Sequence, residues 1–235
     1  MISQLYWRIP KGRKISLQSY RSQPDVRRVG LIGGTFDPIH YGHLVVAEEV
    51  RVVCDLAEMI FVPAGHPPHK VGETVTDARQ RLAMLELAIA SNSHFTISTV
   101  DVERPGPSYT VETLRILRQQ WEERTAIYFV IGWDSLEELT TWYNPLGILE
   151  QITHLVAVRR PGYVEEVGYR DRLEERLPGL KQRLLTIPVP QLEISATDLR
   201  QRVAEGRPIK YQTPEAVEQY IAQHGLYQRE WEAKI

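Results

Sequence analysis

This 235-residue chain has one cysteine, Cys54. That excludes an intrachain disulfide framework and any metal site built from clustered cysteines, and it suits a reducing, cytoplasmic setting. No stretch approaches the ~20 consecutive apolar residues of a membrane-spanning helix. The first residues lack the apolar segment of a secretory signal. Internal repeats and low-complexity tracts are absent. The net charge is only −2, which argues against a surface that is a nucleic-acid footprint throughout.

What remains is ordinary globular material: 43% hydrophobic and 25% charged residues, enough chain for one large domain with a sizeable core. The charge is uneven. Residues 1–28 hold seven basic side chains and one acid, a local net of +6 that leaves −8 on residues 29–235. Residues 1–28 read as a basic, mobile N-terminal extension. An arm touching nucleic acid, an anionic surface or a partner is the sharper alternative. Residues 29–235 read as a single domain.

From residue 29 short apolar runs alternate with helical patterns. Strands are expected at Val29–Ile32, Met59–Val62, Phe95–Val102, Ala126–Ile131, Leu155–Val158 and Leu184–Val189. Helices are expected at 40–56, 77–91, 110–121, 195–205 and 214–223, with a Pro/Gly-rich loop over 64–76. Strands separated by helices imply βαβ units, hence an α/β, doubly wound, Rossmann-like parallel sheet. Ligands of such sheets bind at the carboxyl ends of the strands, so residues just past strand ends carry the chemical interest.

The first strand runs into Gly33-Gly34-Thr35-Phe36-Asp37-Pro38-Ile39-His40-Tyr41-Gly42-His43-Leu44. The glycines let backbone approach a ligand. A helix starting near His40 turns its free N–H groups toward the same crevice, which favours an anion. His40 and His43, three apart, share one helix face. Together these parts suit a polyphosphate and the charge that develops on it. The string is neither a P-loop nor Gly-x-Gly-x-x-Gly. A zinc site using His40, His43, His66 and His69 lacks the usual carboxylate or thiolate partners. A capped turn is the bland alternative.

A second anion site is readable at Ile194-Ser195-Ala196-Thr197-Asp198-Leu199-Arg200. Ser195-x-x-Asp198 resembles a capping box. The Ser195 and Thr197 hydroxyls, helix N–H groups and the Arg200 fork could all meet phosphate oxygens. Asp134, past the apolar run at 126–131, could simply cap the next helix. Trp142 could be core, and His69-Lys70 could be solvated charge on a loop.

The Gly33–His43 string resembles the signature of the nucleotidyltransferase superfamily, which includes adenylyl- and cytidylyltransferases. It is most similar to the bacterial nicotinate-nucleotide adenylyltransferases of NAD synthesis. Pro107-Ser108-Tyr109-Thr110, Ile131-Gly132-Trp133-Asp134-Ser135-Leu136, Thr141-Trp142-Tyr143, Ile194–Arg200 and the close at Gly225-Leu226-Tyr227 resemble further segments of that family, in its order. The resemblance implies adenylyl transfer from ATP, with Mg²⁺, to nicotinate mononucleotide, releasing pyrophosphate.

It further implies that His40, His43 and Arg200 act on the phosphates. Gly33, Gly34, Thr35, Phe36, Asp134, Ser195 and Thr197 would complete the ATP site. His69, Lys70, Thr110, Trp142 and Tyr143 would hold the mononucleotide, with Trp142 on the nicotinate ring. Trp133 stands where the family more often has a small or polar residue. Nicotinamide mononucleotide is the alternative acceptor. A nucleotide-sensing or nucleic-acid-binding module using the basic head is the alternative of another class; His40, His43, Arg200 and the acidic body count against it. No membrane partner is expected, nucleic acid is disfavoured, and a homo-oligomer is among the allowed assemblies.

Overall fold

The computed structural model describes residues 26–68, 74–121, 124–159, 166–190 and 192–228. The head up to Asp25, and His69 and Lys70, lie outside the described residues.

Six parallel strands form one sheet in the order β3-β2-β1-β4-β5-β6. They are β1 (Arg27–Gly34), β2 (Glu58–Pro63), β3 (Phe95–Ile97), β4 (Thr125–Gly132), β5 (His154–Arg159) and β6 (Leu184–Pro188). Helices cover both faces: α1 (Tyr41–Val53), α2 (Ala78–Ile89), α3 (Val100–Glu103), α4 (Thr110–Gln120), α5 (Trp133–Glu138), α6 (Pro145–Gln151), α7 (Tyr169–Arg176), α8 (Leu180–Arg183), α9 (Ala196–Ala204) and α10 (Glu215–Gln223). Strand order reverses between β1 and β4, the switch point at which open α/β sheets bind ligands.

Side-chain alternation splits the core into two layers. Val29 and Leu31 of β1, with Ile127, Phe129 and Ile131 of β4, pack toward α4, α5 and α6. Ile32, Tyr128 and Val130 pack on the opposite face, toward α1, α2, α9 and α10. Burial on both faces is why these strands read as nearly continuous apolar runs.

Three expectations change. The strand expected over Phe95–Val102 ends at Ile97, and Val100–Glu103 is a helical turn. The Thr99 hydroxyl donates to Glu103 at 2.6 Å, and Asp101 is drawn inward to the Thr113 hydroxyl at 2.6 Å. Those bonds outweigh the alternating pattern. The first strand starts at Arg27, so two basic residues counted with the head belong to the sheet. Arg27 pairs with Glu58, and Arg28 with Asp55 at 2.6 Å. Beyond the helix expected to follow Asp134, helices α6 to α8 lie where none was expected. Among the described residues no helix is long and apolar enough to cross a membrane.

Candidate active site

A cavity of about 430 Å³ opens at the carboxyl ends of β1, β2, β4 and β5. Gly33, Gly34, Thr35, Gly42 and His43 form one part of its wall; Thr110, Thr113, Ser135, Glu138 and Trp142 form another. Two sequence strings roughly a hundred residues apart thus face one space. Asp101 and Glu138 also line it, and no Lys or Arg does among the described residues.

Gly33 has open space where a Cβ would stand, so its backbone is free to meet a ligand. Gly34 serves Phe36: a Cβ there would fall 2.9 Å from the ring. Phe36 then meets His43 edge to face at 5.1 Å. His40 caps α1 in extended conformation, and no side-chain bond caps that helix. The His40 and His43 rings stack with centroids 3.8 Å apart and planes at 26°. The Nδ1 atoms of both are buried without a hydrogen-bond partner among the described residues. Burial lowers the His40 pKa to about 4. His43 is held well below its ordinary value by burial and then by the charge of His40. Both are therefore neutral imidazoles at pH 7. They offer hydrogen bonds to a developing anion rather than fixed positive charge.

The second signature abuts the first. The carbonyl of Ile194 would lie 3.8 Å from a Cβ at Gly42. Ser195 caps α9 and accepts from the Asp198 N–H at 3.1 Å. Half of the capping box is therefore present. Asp198 turns its carboxylate to Arg202 at 2.6 Å instead of back to Ser195. Arg200 donates to the Asp37 carbonyl at 2.8 Å and to the Thr197 hydroxyl at 3.4 Å. Arg200 and Thr197 are thereby tied to the turn that carries His40.

The mononucleotide candidates divide. Thr110 opens α4 and lines the cavity, as does half-buried Trp142, which meets Phe129 edge to face at 6.4 Å. Tyr143 is 57% exposed, stacks on Tyr109 at 4.4 Å and does not line the cavity. His69 and Lys70 lie outside the described residues. Asp134 is exposed in the first turn of α5, whose N-cap is Gly132. The cap expected of Asp134 is thus not made; Gly132 and Ser135 line the cavity beside it. Trp133 turns away into the core, donates to Glu137 at 3.0 Å and packs on Tyr169. It is not among the residues that line the cavity. Among the described residues no group of three His, Cys, Asp or Glu is arranged to hold a metal.

Arg81 was not singled out in the sequence. It is 1% exposed, and its guanidinium donates to the carbonyls of Thr35 at 2.6 Å, Ala64 at 2.7 Å and Thr76 at 2.9 Å. One side chain thus staples the segments following β1 and β2. A signal for it existed: Arg81, Met84, Leu85 and Ala88 share one helical face, and the last three are apolar.

The sheet order and a histidine pair over a helix start define a nucleotidyltransferase, and the cytidylyltransferase-like family model matches residues 31–202. A curated relative from Thermomicrobium roseum, named probable nicotinate-nucleotide adenylyltransferase, is 48% identical over 200 residues, spanning 85% of this chain and 91% of that one. A relative of the same name from Moorella thermoacetica is 47% identical over 204 residues, spanning 85% and 91%. The chain belongs to the nicotinate-nucleotide adenylyltransferase family. In fold it resembles the nicotinic acid mononucleotide adenylyltransferase of Plasmodium falciparum solved with NaAD, with TM-score 0.68, 17% identity, and coverage of 86% of this chain and 97% of that one.

Proposed function

We propose that this protein transfers the adenylyl group of MgATP to nicotinate mononucleotide. A 5′-phosphate oxygen of the mononucleotide forms a bond to the α-phosphorus. The bond from that phosphorus to the β-bridging oxygen breaks, and pyrophosphate leaves with the electron pair. The attacking phosphate is already an anion, so no general base and no covalent enzyme intermediate are required. Catalysis is then positioning and charge stabilisation.

The observation that carries this reading is the shared cavity, with Gly33, Gly34, Thr35, Gly42 and His43 on one wall and Thr110 and Trp142 on another. Neutral His40 and His43 would donate hydrogen bonds to the α-phosphoryl oxygens as negative charge builds. In the first turn of α1 the Tyr41 and His43 N–H groups are taken by the Gln212 and His40 carbonyls, so the Gly42 N–H would be the helix donor to the anion. Arg200 and the Ser195–Thr197 turn would hold the β/γ end, and Mg²⁺, arriving with ATP, would supply further neutralisation of phosphate charge. Trp142 would stack on the electron-poor pyridinium ring, a favourable pairing for indole. With no cationic side chain among the described lining residues, a carboxylate on that ring would be received by N–H groups such as that of Thr110.

The test is one assay: purified protein with MgATP and either nicotinate or nicotinamide mononucleotide, following pyrophosphate and dinucleotide. Formation of nicotinate adenine dinucleotide, faster than the amide product, is expected. A faster amide reaction would move the assignment to the nicotinamide acceptor. Absence of both products would end it.

A further inference from the structure

Asp37 is 2% exposed, inside the turn that leads from β1 to His40. A buried carboxylate is stable only when its oxygens find donors. Here Oδ1 accepts from the Tyr227 hydroxyl at 2.7 Å and Oδ2 from the Thr76 N–H at 3.2 Å. Its backbone carbonyl accepts from Arg200 at 2.8 Å. One residue therefore joins the β1 turn, the segment before α2, the guanidinium of α9 and a tyrosine 190 positions away.

The remaining contacts of the C-terminal segment frame the same turn. The Thr213 hydroxyl donates to the Ile39 carbonyl at 2.8 Å, and the Tyr41 N–H donates to the Gln212 carbonyl at 3.0 Å. Tyr220 instead reaches Gln80 on α2, at 2.6 Å. Tyr227 alone among these addresses the Asp37 side chain. Burial, followed by the charge of Asp37, raises its pKa, so the phenol keeps its proton and remains a donor throughout the working range.

We propose that Tyr227 is a positioning residue for the ATP-phosphate site: by holding the Asp37 carboxylate it fixes the Asp37 carbonyl, and through it the direction of Arg200. It touches neither substrate. Its contribution is to keep the guanidinium fork and the Thr35–His40 turn in one arrangement before ATP arrives. This rests on the assignment of Arg200 and that turn to the ATP phosphates.

Steady-state kinetics of the full chain test it, with pyrophosphate release as readout and each substrate varied at saturation of the other. Tyr227→Phe removes one oxygen and keeps the packing. It is expected to raise KM for MgATP about tenfold, the effect of losing one hydrogen bond to a charged group, while KM for nicotinate mononucleotide stays within about twofold. Tyr220→Phe, on the same segment but directed at Gln80, should move neither KM. Asp37→Asn should reproduce the ATP effect, and adding Tyr227→Phe to it should add less than about twofold. An unmoved ATP KM in Tyr227→Phe overturns the inference. So does an equal rise for both substrates, or an equal effect of Tyr220→Phe. A wild-type chain that releases no pyrophosphate overturns the adenylyltransfer reading, and this inference with it.

Discussion

The imidazoles of His40 and His43 are stacked at 3.8 Å, not splayed toward separate partners. Stacking at this distance is tolerable because burial keeps both rings neutral; two imidazolium ions so placed would repel strongly. A ligand polyphosphate changes that balance, since its charge favours donors and even protonation at the same nitrogens. The pair is thus placed to donate to an anion that enters the cavity.

His43→Ala should lower kcat/KM by a hundredfold or more, on the order found when one donor to a developing oxyanion is removed. The stability change should be small, because the deleted ring lines the cavity rather than the hydrophobic core. Steady-state kinetics with thermal unfolding checks both. Near-normal turnover would remove His43 from the chemistry.

The same burial sets a pH dependence. Unfolded, both histidines titrate near 6.5; folded, His40 titrates at about 4 and His43 is also held low. Below pH 6.5 the unfolded chain takes up protons that the folded chain refuses, so stability falls as pH falls from 6.5 toward 4. Above 6.5 this penalty vanishes. At pH 5 each group should cost up to about 2 kcal/mol. Thermal unfolding at pH 7.5 and pH 5 should show the loss, and a His40→Gln/His43→Gln double variant should lose less. An identical acid loss in that variant would contradict the assignment.

Much of this was legible in the sequence, for identifiable reasons. Parallel strands buried on both faces leave apolar runs such as Ala126–Ile131, and a 3.6-residue repeat marks α2 and α4. The Gly33–His43 and Ile194–Arg200 strings both run into helix starts, where local spacing carries the meaning. Long-range pairing has no local trace. Nothing near Asp37 announces Tyr227, and nothing in Asp198 shows that Arg202 will take its carboxylate. Asp134 is suited by residue type to a helix cap, but the helix is capped two residues earlier, at Gly132. Trp133 could have pointed either way from its strand end, and core packing against Tyr169 decides.

The surroundings of Gly42 give a reason for glycine there beyond room for a ligand. A Cβ there would stand 2.9 Å from His40 Nδ1 and 3.0 Å from Cε1. Gly42→Ala should therefore push the His40 ring out of its stack. Helix propensity works the other way, favouring alanine by about 1 kcal/mol inside a helix. The expected result is a melting temperature within a few degrees of wild type with kcat reduced at least about tenfold. Full activity in Gly42→Ala would show that the ring can give way without consequence.

Acceptor choice should depend on how the Tyr109–Thr110 peptide is held. The Tyr109 carbonyl accepts from the N–H groups of Glu112 at 3.0 Å and Thr113 at 3.2 Å and from Arg104 at 3.4 Å. Asp101 orients the Arg104 donor, accepting from it at 2.9 Å, and is itself held by the Thr113 hydroxyl, which donates to it at 2.6 Å. In a planar trans peptide the N–H points opposite to the C=O, so fixing this carbonyl aims the Thr110 N–H. A carboxylate gains more than an amide from a well-aimed donor, because charge-assisted hydrogen bonds are the stronger kind. Thr113→Val removes the hydroxyl that holds Asp101, leaves Asp101 to Arg104 alone and so loosens the Arg104 donor to the carbonyl. The ratio of kcat/KM for nicotinate over nicotinamide mononucleotide should fall several-fold, toward the tenfold that one such bond represents. Thr113→Ser, which keeps the hydroxyl, should restore it. Equal losses on both acceptors in Thr113→Val would mean that the site is merely loosened and that selectivity has another source.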